Sequence, residues 1–254
     1  IWWIAALRTA QKYYTHLHTG RQSAIIHAEQ FRFCQRQKLH IIYYFLFLIY
    51  YLFSRGVTLQ MLLKNKTVVL GITGGIAAYK MPNVAHALVK LGADVHVLMT
   101  KNATEFISPL VFETLTRRRC QVDTFDRNFQ YDVAHISLAN AADLMLIAPA
   151  TANVIAKLAH GQADDMLTTV TLAATCPKLV APAMNTHMLE NPITQDNLKT
   201  LEHYGFTVIP SGSGMLACGD VGSGRLPDEV VLVDYVLREL ACAKDLKGKK
   251  VVAS

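Results

Sequence analysis

Residues 66–75 read Lys66-Thr67-Val68-Val69-Leu70-Gly71-Ile72-Thr73-Gly74-Gly75. The run at 66–70 is apolar and β-branched, as a buried strand requires, and it leads directly into a glycine-rich turn. Beyond the turn, Ile76, Tyr79, Val84, Leu88 and Leu91 fall close to a 3.6-residue period, and Gly92 ends the helix they predict. A second buried strand follows at 95–99. Strand, turn, helix and strand in this order predict a parallel sheet with helical crossovers.

The unit recurs along the chain. Residues 139–143 lead into a strand at 144–148 (LMLIA), followed by helices at 154–159 and 166–174. A strand at 178–181, a helix at 191–204 closed by Gly205 and a strand at 206–209 come next. The stretch 211–226 is too rich in glycine to predict regular structure. An amphipathic helix is expected over 228–243, with Pro227, Asp228 and Glu229 favouring its positive end. The pattern predicts an α/β fold, a doubly wound parallel sheet of five or six strands with helices on both faces. In such sheets ligands collect at the carboxyl ends of the strands.

Composition divides the chain at Met61. Residues 1–60 hold seven Lys or Arg against the single acid Glu29, and the remainder holds eighteen of each sign, so the net charge of +6 belongs to the first sixty residues. A basic nucleic-acid surface on the folded part is therefore not indicated. The apolar run at 41–53 (IIYYFLFLIYYLF) is thirteen residues long, short of the roughly twenty that a membrane-spanning helix needs. It also lies too far from the start for a signal peptide. Residues 1–60 are expected to be a non-native or disordered leader, with an aromatic membrane-surface segment as the lesser reading, and no membrane partner is expected. Residues 61–243 are expected to form one domain, and 244–254 a linker and the first strand of a truncated second domain. The cysteines after Met61 (Cys120, Cys176, Cys218, Cys242) form no CxxC pair and have no ligand spacing with histidine. That argues against disulfides and structural zinc and fits a reducing cytoplasm.

Several strand ends carry candidate site residues. The turn at 71–75 offers backbone N–H groups at a helix start, where an anion is stabilised. It is neither GxGxxG nor a Walker loop, and Thr100 stands where a ribose-reading acid would. Thr100, Lys101 and Asn102 end one strand, and Ala148, Pro149, Ala150, Thr151, Ala152 and Asn153 another. Small residues let a flat ring lie against the backbone, although Thr151 and Asn153 serve equally as helix caps. His135 is a candidate general base, though a lone histidine is more often structural. Asn185, after Pro182-Ala183-Met184, is balanced between holding a carboxylate and capping a helix. Cys218, between Ala217 and Gly219, carries a thiol that packing in a glycine-rich loop does not require.

Taken in order, GITGGIAAYK (71–80), AHISLA (134–139), APATAN (148–153), PAMNTHM (182–188) and ACGDVGSGR (217–225) resemble the homo-oligomeric flavin-containing cysteine decarboxylases. The resemblance covers about 64–243 and implies a flavodoxin-like (Rossmann-like) three-layer α/β/α fold, bound FMN and a trimer or higher assembly in the cytoplasm. It implies FMN contacts from Gly74, Gly75, Ile76, Thr100, Lys101, Asn102, Ala148, Pro149, Ala150, Thr151 and Ala183. By matched position it makes His135 the catalytic base, Asn185 the substrate-carboxylate ligand and Cys218 the proton donor. The implied substrate is phosphopantothenoylcysteine, decarboxylated to phosphopantetheine in coenzyme A biosynthesis. Residues 245–254 resemble the start of a phosphopantothenate–cysteine ligase domain, which would use Mg²⁺ and a nucleoside triphosphate. Leu189 departs from the family's usual aromatic residue. A flavin-dependent peptidyl-cysteine decarboxylase and a non-catalytic regulatory module on the same fold are the alternatives.

The chemistry accounts for such a set. Direct loss of carbon dioxide from a cysteine carboxylate leaves an unstabilised carbanion. Oxidation of the CH₂–SH group to a thioaldehyde first creates an electron sink, so that decarboxylation yields an enethiolate. A flavin accepts the two electrons and returns them, with no net redox change.

Overall fold

The computed structural model describes residues 61–123, 134–215 and 221–241. The expected leader (1–60), Cys218 and the expected linker with its truncated strand (244–254) lie outside the described residues.

Five strands form the parallel sheet: β1 (Thr67–Ile72), β2 (Asp94–Met99), β3 (Leu144–Ala150), β4 (Lys178–Pro182) and β5 (Phe206–Val208), in the order β2-β1-β3-β4-β5. This is the flavodoxin-like doubly wound order, and the chain's winding direction reverses between β1 and β3. The helices are α1 (Met81–Lys90), α2 (Pro109–Thr116), α3 (Ala134–Ala141), α4 (Ala152–Ala159), α5 (Met166–Ala173), α6 (Thr186–Glu190), α7 (Pro192–His203) and, after the hairpin β6 (Gly212–Met215) and β7 (Val221–Arg225), α8 (Glu229–Leu240).

Period-two alternation sends neighbouring strand residues to opposite faces, and each face buries its own core. Val68, Leu70 and Ile72 of β1 pack with Leu144 and Leu146 of β3 under α1, α2 and α8, through Met81, Val84, Leu88, Phe112, Leu232 and Val236. Val69, Met145, Ile147 and Val180 meet Leu138, Val154, Ile155, Leu167, Val170 and Leu201 from α3, α4, α5 and α7 on the other face.

Three expectations need correction. Residues 211–226 are not wholly irregular, because β6 and β7 pair antiparallel, Gly214 opposite Gly222. Glycines supply no strand propensity, and the hairpin is held by what it packs against. The stripe beginning at Ile76 is not one helix: Ile76–Lys80 is a 3₁₀ turn with Ile76 and Tyr79 exposed, and α1 begins at Met81 with proline in its first turn. Pro82 has no N–H to continue a helix from upstream, so it restarts one there. Three short helices, α2, α3 and α6, were not expected, and α2 and α6 are each started by a side chain (Ser108, Asn185) accepting a backbone N–H.

The amino end of the sheet carries an electrostatic clasp. Asp143 accepts hydrogen bonds from Thr67 N at 2.8 Å and Lys66 Nζ at 3.0 Å. Burial raises its pKa, but these donors outweigh burial and the net shift is downward. A carboxylate with a depressed folded-state pKa contributes stability above its unfolded value near 4, and that contribution is lost as pH falls through the folded value. Asp143→Asn is therefore expected to cost about 1 kcal/mol at neutral pH, the pair being part-exposed, and to flatten the loss of stability below about pH 4. Urea denaturation across that range checks both.

Candidate functional site

The carboxyl ends of β1 to β4 are tied into one continuous surface. Beyond β1, Gly75 N donates to Thr73 O at 2.9 Å, tightening the turn. At Gly74, a Cβ atom would stand 2.5 Å from Asn102 Cβ, so only glycine allows the β1 and β2 loops to approach this closely. Thr100 ends β2, donating its N–H to Ile72 O at 3.0 Å and accepting Ala103 N through its hydroxyl at 3.3 Å. Lys101 and Asn102 follow, both exposed.

On the other side of β1, Ala148 and Ala150 of β3 are buried and the Ala148–Pro149 peptide is cis. Thr151 caps α4, accepting Val154 N at 3.5 Å, and its methyl lies 3.6 Å from where a Cβ on Gly75 would be. Ala183 N donates to Ala150 O at 3.0 Å, which carries the surface across to β4. The strand-end residues thus meet in sequence from Asn102 through Gly74, Gly75, Thr151 and Ala150 to Ala183. Ile76 lies exposed at the lip.

Asn185 closes the β4 end as the N-cap of α6, its Oδ1 accepting His187 N at 2.9 Å. A cap consumes an acceptor, whereas holding a carboxylate needs the Nδ2 donor, so the two readings use different atoms. The hairpin fastens on both sides of this residue. Met184 N donates to Gly224 O at 3.0 Å, and Thr186 Oγ1 donates to Ser223 O at 2.8 Å. Ser223 Oγ adds a bond to Glu190 at 3.3 Å. Gly224 has φ +108, and a Cβ there would overlap Met184 O. Gly224→Ala is expected to push the hairpin off the 184–186 segment and to lower stability by about 2 kcal/mol, read as a drop in melting temperature with faster proteolysis of the hairpin.

His135 is the second residue of α3, half-buried, on a helix that packs against α5. Among the described residues no hydrogen bond joins it to the strand-end set. Neither Cys120 nor Cys176 is one of these strand-end residues, although Cys120 precedes Gln121, which pairs with Leu98 of β2. Cys120 is buried beside Glu113, and burial first and that charge second push its thiol up to about 12. Cys176 lies in the turn entering β4 at the sheet's amino end, raised by burial. Beside the hairpin, Arg225 and Lys80 both reach Asp228, at 3.3 and 3.9 Å. Among the described residues, no cluster of three His, Cys, Asp or Glu could hold a metal ion, and no helix is long and apolar enough to cross a membrane.

Sequence reasoning missed Thr73, Thr186 and the Gly222–Gly224 pair. Two glycines spaced by two on one strand put both on the same face, which is a legible sign of close backbone approach.

A family model described as Flavoprotein matches residues 57–241. The chain belongs to this flavoprotein family. It is 46% identical over 193 residues to the coenzyme A biosynthesis bifunctional protein CoaBC of Bacillus subtilis, covering 75% of this chain and 48% of that one. The chain thus spans about half the length of that relative. It is 45% identical over 178 residues to a probable phosphopantothenoylcysteine decarboxylase of Streptococcus mutans, covering 69% of this chain and 99% of the relative. Among solved structures, it is similar to a cysteine mutant of a PPC decarboxylase complexed with pantothenoylaminoethenethiol, with TM-score 0.60, 32% identity, and 67% and 96% of the two chains covered. It is also similar to the FMN-dependent cysteine decarboxylase SpaF, with TM-score 0.62, 31% identity, and 71% and 99% covered.

Proposed function

We propose that this chain is an FMN-dependent decarboxylase that converts phosphopantothenoylcysteine to phosphopantetheine in coenzyme A biosynthesis. The observation that carries the reading is the unbroken line of small and hydroxyl residues from Asn102 to Ala183, leading to an amide at Asn185 between two hairpin contacts. Near-complete coverage of the Streptococcus mutans relative, at 45% identity, favours a small thiol acid over a peptide as substrate and catalysis over a purely regulatory role.

The surface fits a flavin. Gly74, Gly75, Ala148, Ala150 and Ala183 carry little or no side chain, so a planar ring can approach the backbone. Ile76, Thr100, Lys101, Asn102, Pro149 and Thr151 border it with an apolar edge and hydrogen-bonding groups. Bound there, FMN supplies a reversible two-electron acceptor. Asn185 Nδ2 holds the substrate carboxylate without adding charge. His135 takes a proton in the opening oxidation, and Cys218 returns one to carbon at the end. An ethenethiol bound to a cysteine mutant of a related decarboxylase supports a thiol acting late.

Assembly as a trimer or higher, action in the cytoplasm and a ligase domain following residue 243 complete the reading. Residues 1–60 take no part in it. The test is direct: residues 61–254 are purified and their visible spectrum recorded, then phosphopantothenoylcysteine is added and products are followed by mass spectrometry. Flavin absorbance with loss of carbon dioxide from the substrate is expected. A colourless protein that leaves the substrate intact would overturn the reading.

A further inference from the structure

The β1–β3 ladder stops short of the site. Its last paired residues are Gly71 and Ile147, and the β3–β4 register shifts between Ile147 and Ala150. Residues 148–151 are therefore no longer paired with β1, although Ala150 still pairs with Pro182 of β4. They lie at the point where the winding reverses, which is where doubly wound folds bind ligands. A single side chain takes over from the ladder there. Thr73 is wholly buried. Its Oγ1 donates to Pro149 O at 2.6 Å and accepts Thr151 N at 3.1 Å, with Thr151 Oγ1 at 3.4 Å. A hydroxyl has one donor and two lone pairs, so Thr73 is saturated by the opposite turn. Through its own carbonyl it also accepts Gly75 N at 2.9 Å.

We propose that Thr73 is a positioning residue for the flavin site: its buried hydroxyl fixes the 149–151 turn against the Gly74–Gly75 turn, setting the width of the cradle between them. The inference rests on the cofactor reading above and assigns Thr73 no contact with the cofactor. Without the hydroxyl, Pro149 O and Thr151 N lose their partner in a dry site, and the 149–151 turn must shift to find another. Gly75 and Thr151 would then no longer face each other at the present spacing.

The test compares the holoprotein with Thr73→Val, Thr73→Cys and Thr73→Ser. FMN dissociation constants, the visible spectrum of bound flavin and the melting temperature of the flavin-free protein are measured for each. Valine keeps the volume and removes the hydroxyl, and cysteine keeps the volume with a weak donor, which covers the case in which valine does not fold. Valine and cysteine are expected to weaken FMN binding by about tenfold or more and to shift the flavin bands, whereas serine stays within about threefold with the wild-type spectrum. A loss of melting temperature alone, with affinity and spectrum unchanged in valine or cysteine, overturns the proposal. So does serine binding FMN as weakly as valine. Gly75→Val, which fills the cradle directly, separates the two levels. If it abolishes FMN binding while Thr73→Val does not, only the role of Thr73 fails, and if neither affects binding, the location of the flavin fails.

Discussion

Asn185→Asp is expected to lower kcat/KM by roughly 100- to 1,000-fold while leaving the fold and flavin content intact. Aspartate is as good an N-cap as asparagine, so the bond from His187 N survives and α6 still starts at Thr186. What changes is the other half of the side chain. The Nδ2 donor is replaced by an oxygen, and a negative charge is set against the substrate carboxylate, so attraction turns into repulsion. Asn185→Ala removes both functions and should add a loss of stability of about 1 kcal/mol from the missing cap. Steady-state kinetics and melting curves of the pair separate the roles. If aspartate turns over within about threefold of wild type, Asn185 is a cap and nothing more.

That separation was not available from the sequence, where capping and carboxylate binding weighed equally at Asn185. One residue type at one position satisfied both readings, and only the bonded atom distinguishes them. The sheet was legible for the opposite reason. Runs such as 66–70, 144–148 and 178–181 are apolar on both faces, a pattern that a strand buried between two helical layers demands and a surface element does not tolerate. Their observed ends, Ile72, Ala150 and Pro182, lie one or two residues beyond the apolar runs, because the ladder continues through glycine, alanine and proline that carry no pattern. The hairpin was illegible because backbone pairing and contacts to Met184 and Thr186, distant in sequence, hold it together. Thr73 stayed hidden because nothing in GITGG distinguishes a buried hydroxyl that replaces a ladder bond from an exposed one. His135 is a candidate base from the sequence and takes its role from the resemblance, and the helix that carries it, AHISLANA, has no charged residue to mark its outer face.

The hairpin also gives the last expectation its shape: Cys218→Ser is expected to stop the reaction after decarboxylation, with FMN still bound. Cys218 lies in sequence between β6 and β7, the latter bonded to the residues on both sides of Asn185, and it belongs to none of the strand-end residues assigned to the flavin. On the proposed reading its thiol is needed only when the enethiolate is reduced and a proton must reach carbon. Serine, with a far weaker acid, cannot deliver that proton at a useful rate. On that reading, oxidation and loss of carbon dioxide precede that step and call on the flavin, His135 and Asn185 rather than on Cys218. The variant should therefore convert substrate once per flavin and accumulate the enethiol in place of phosphopantetheine, lowering full turnover by roughly 100-fold or more. His135→Asn should instead leave phosphopantothenoylcysteine unchanged, because the proton is not taken at the outset. Mass spectrometry of the two mixtures distinguishes intact substrate from a product lacking carbon dioxide and two hydrogens. Normal phosphopantetheine at an undiminished rate from Cys218→Ser would remove the thiol from the chemistry and leave the hairpin as a cover over Asn185.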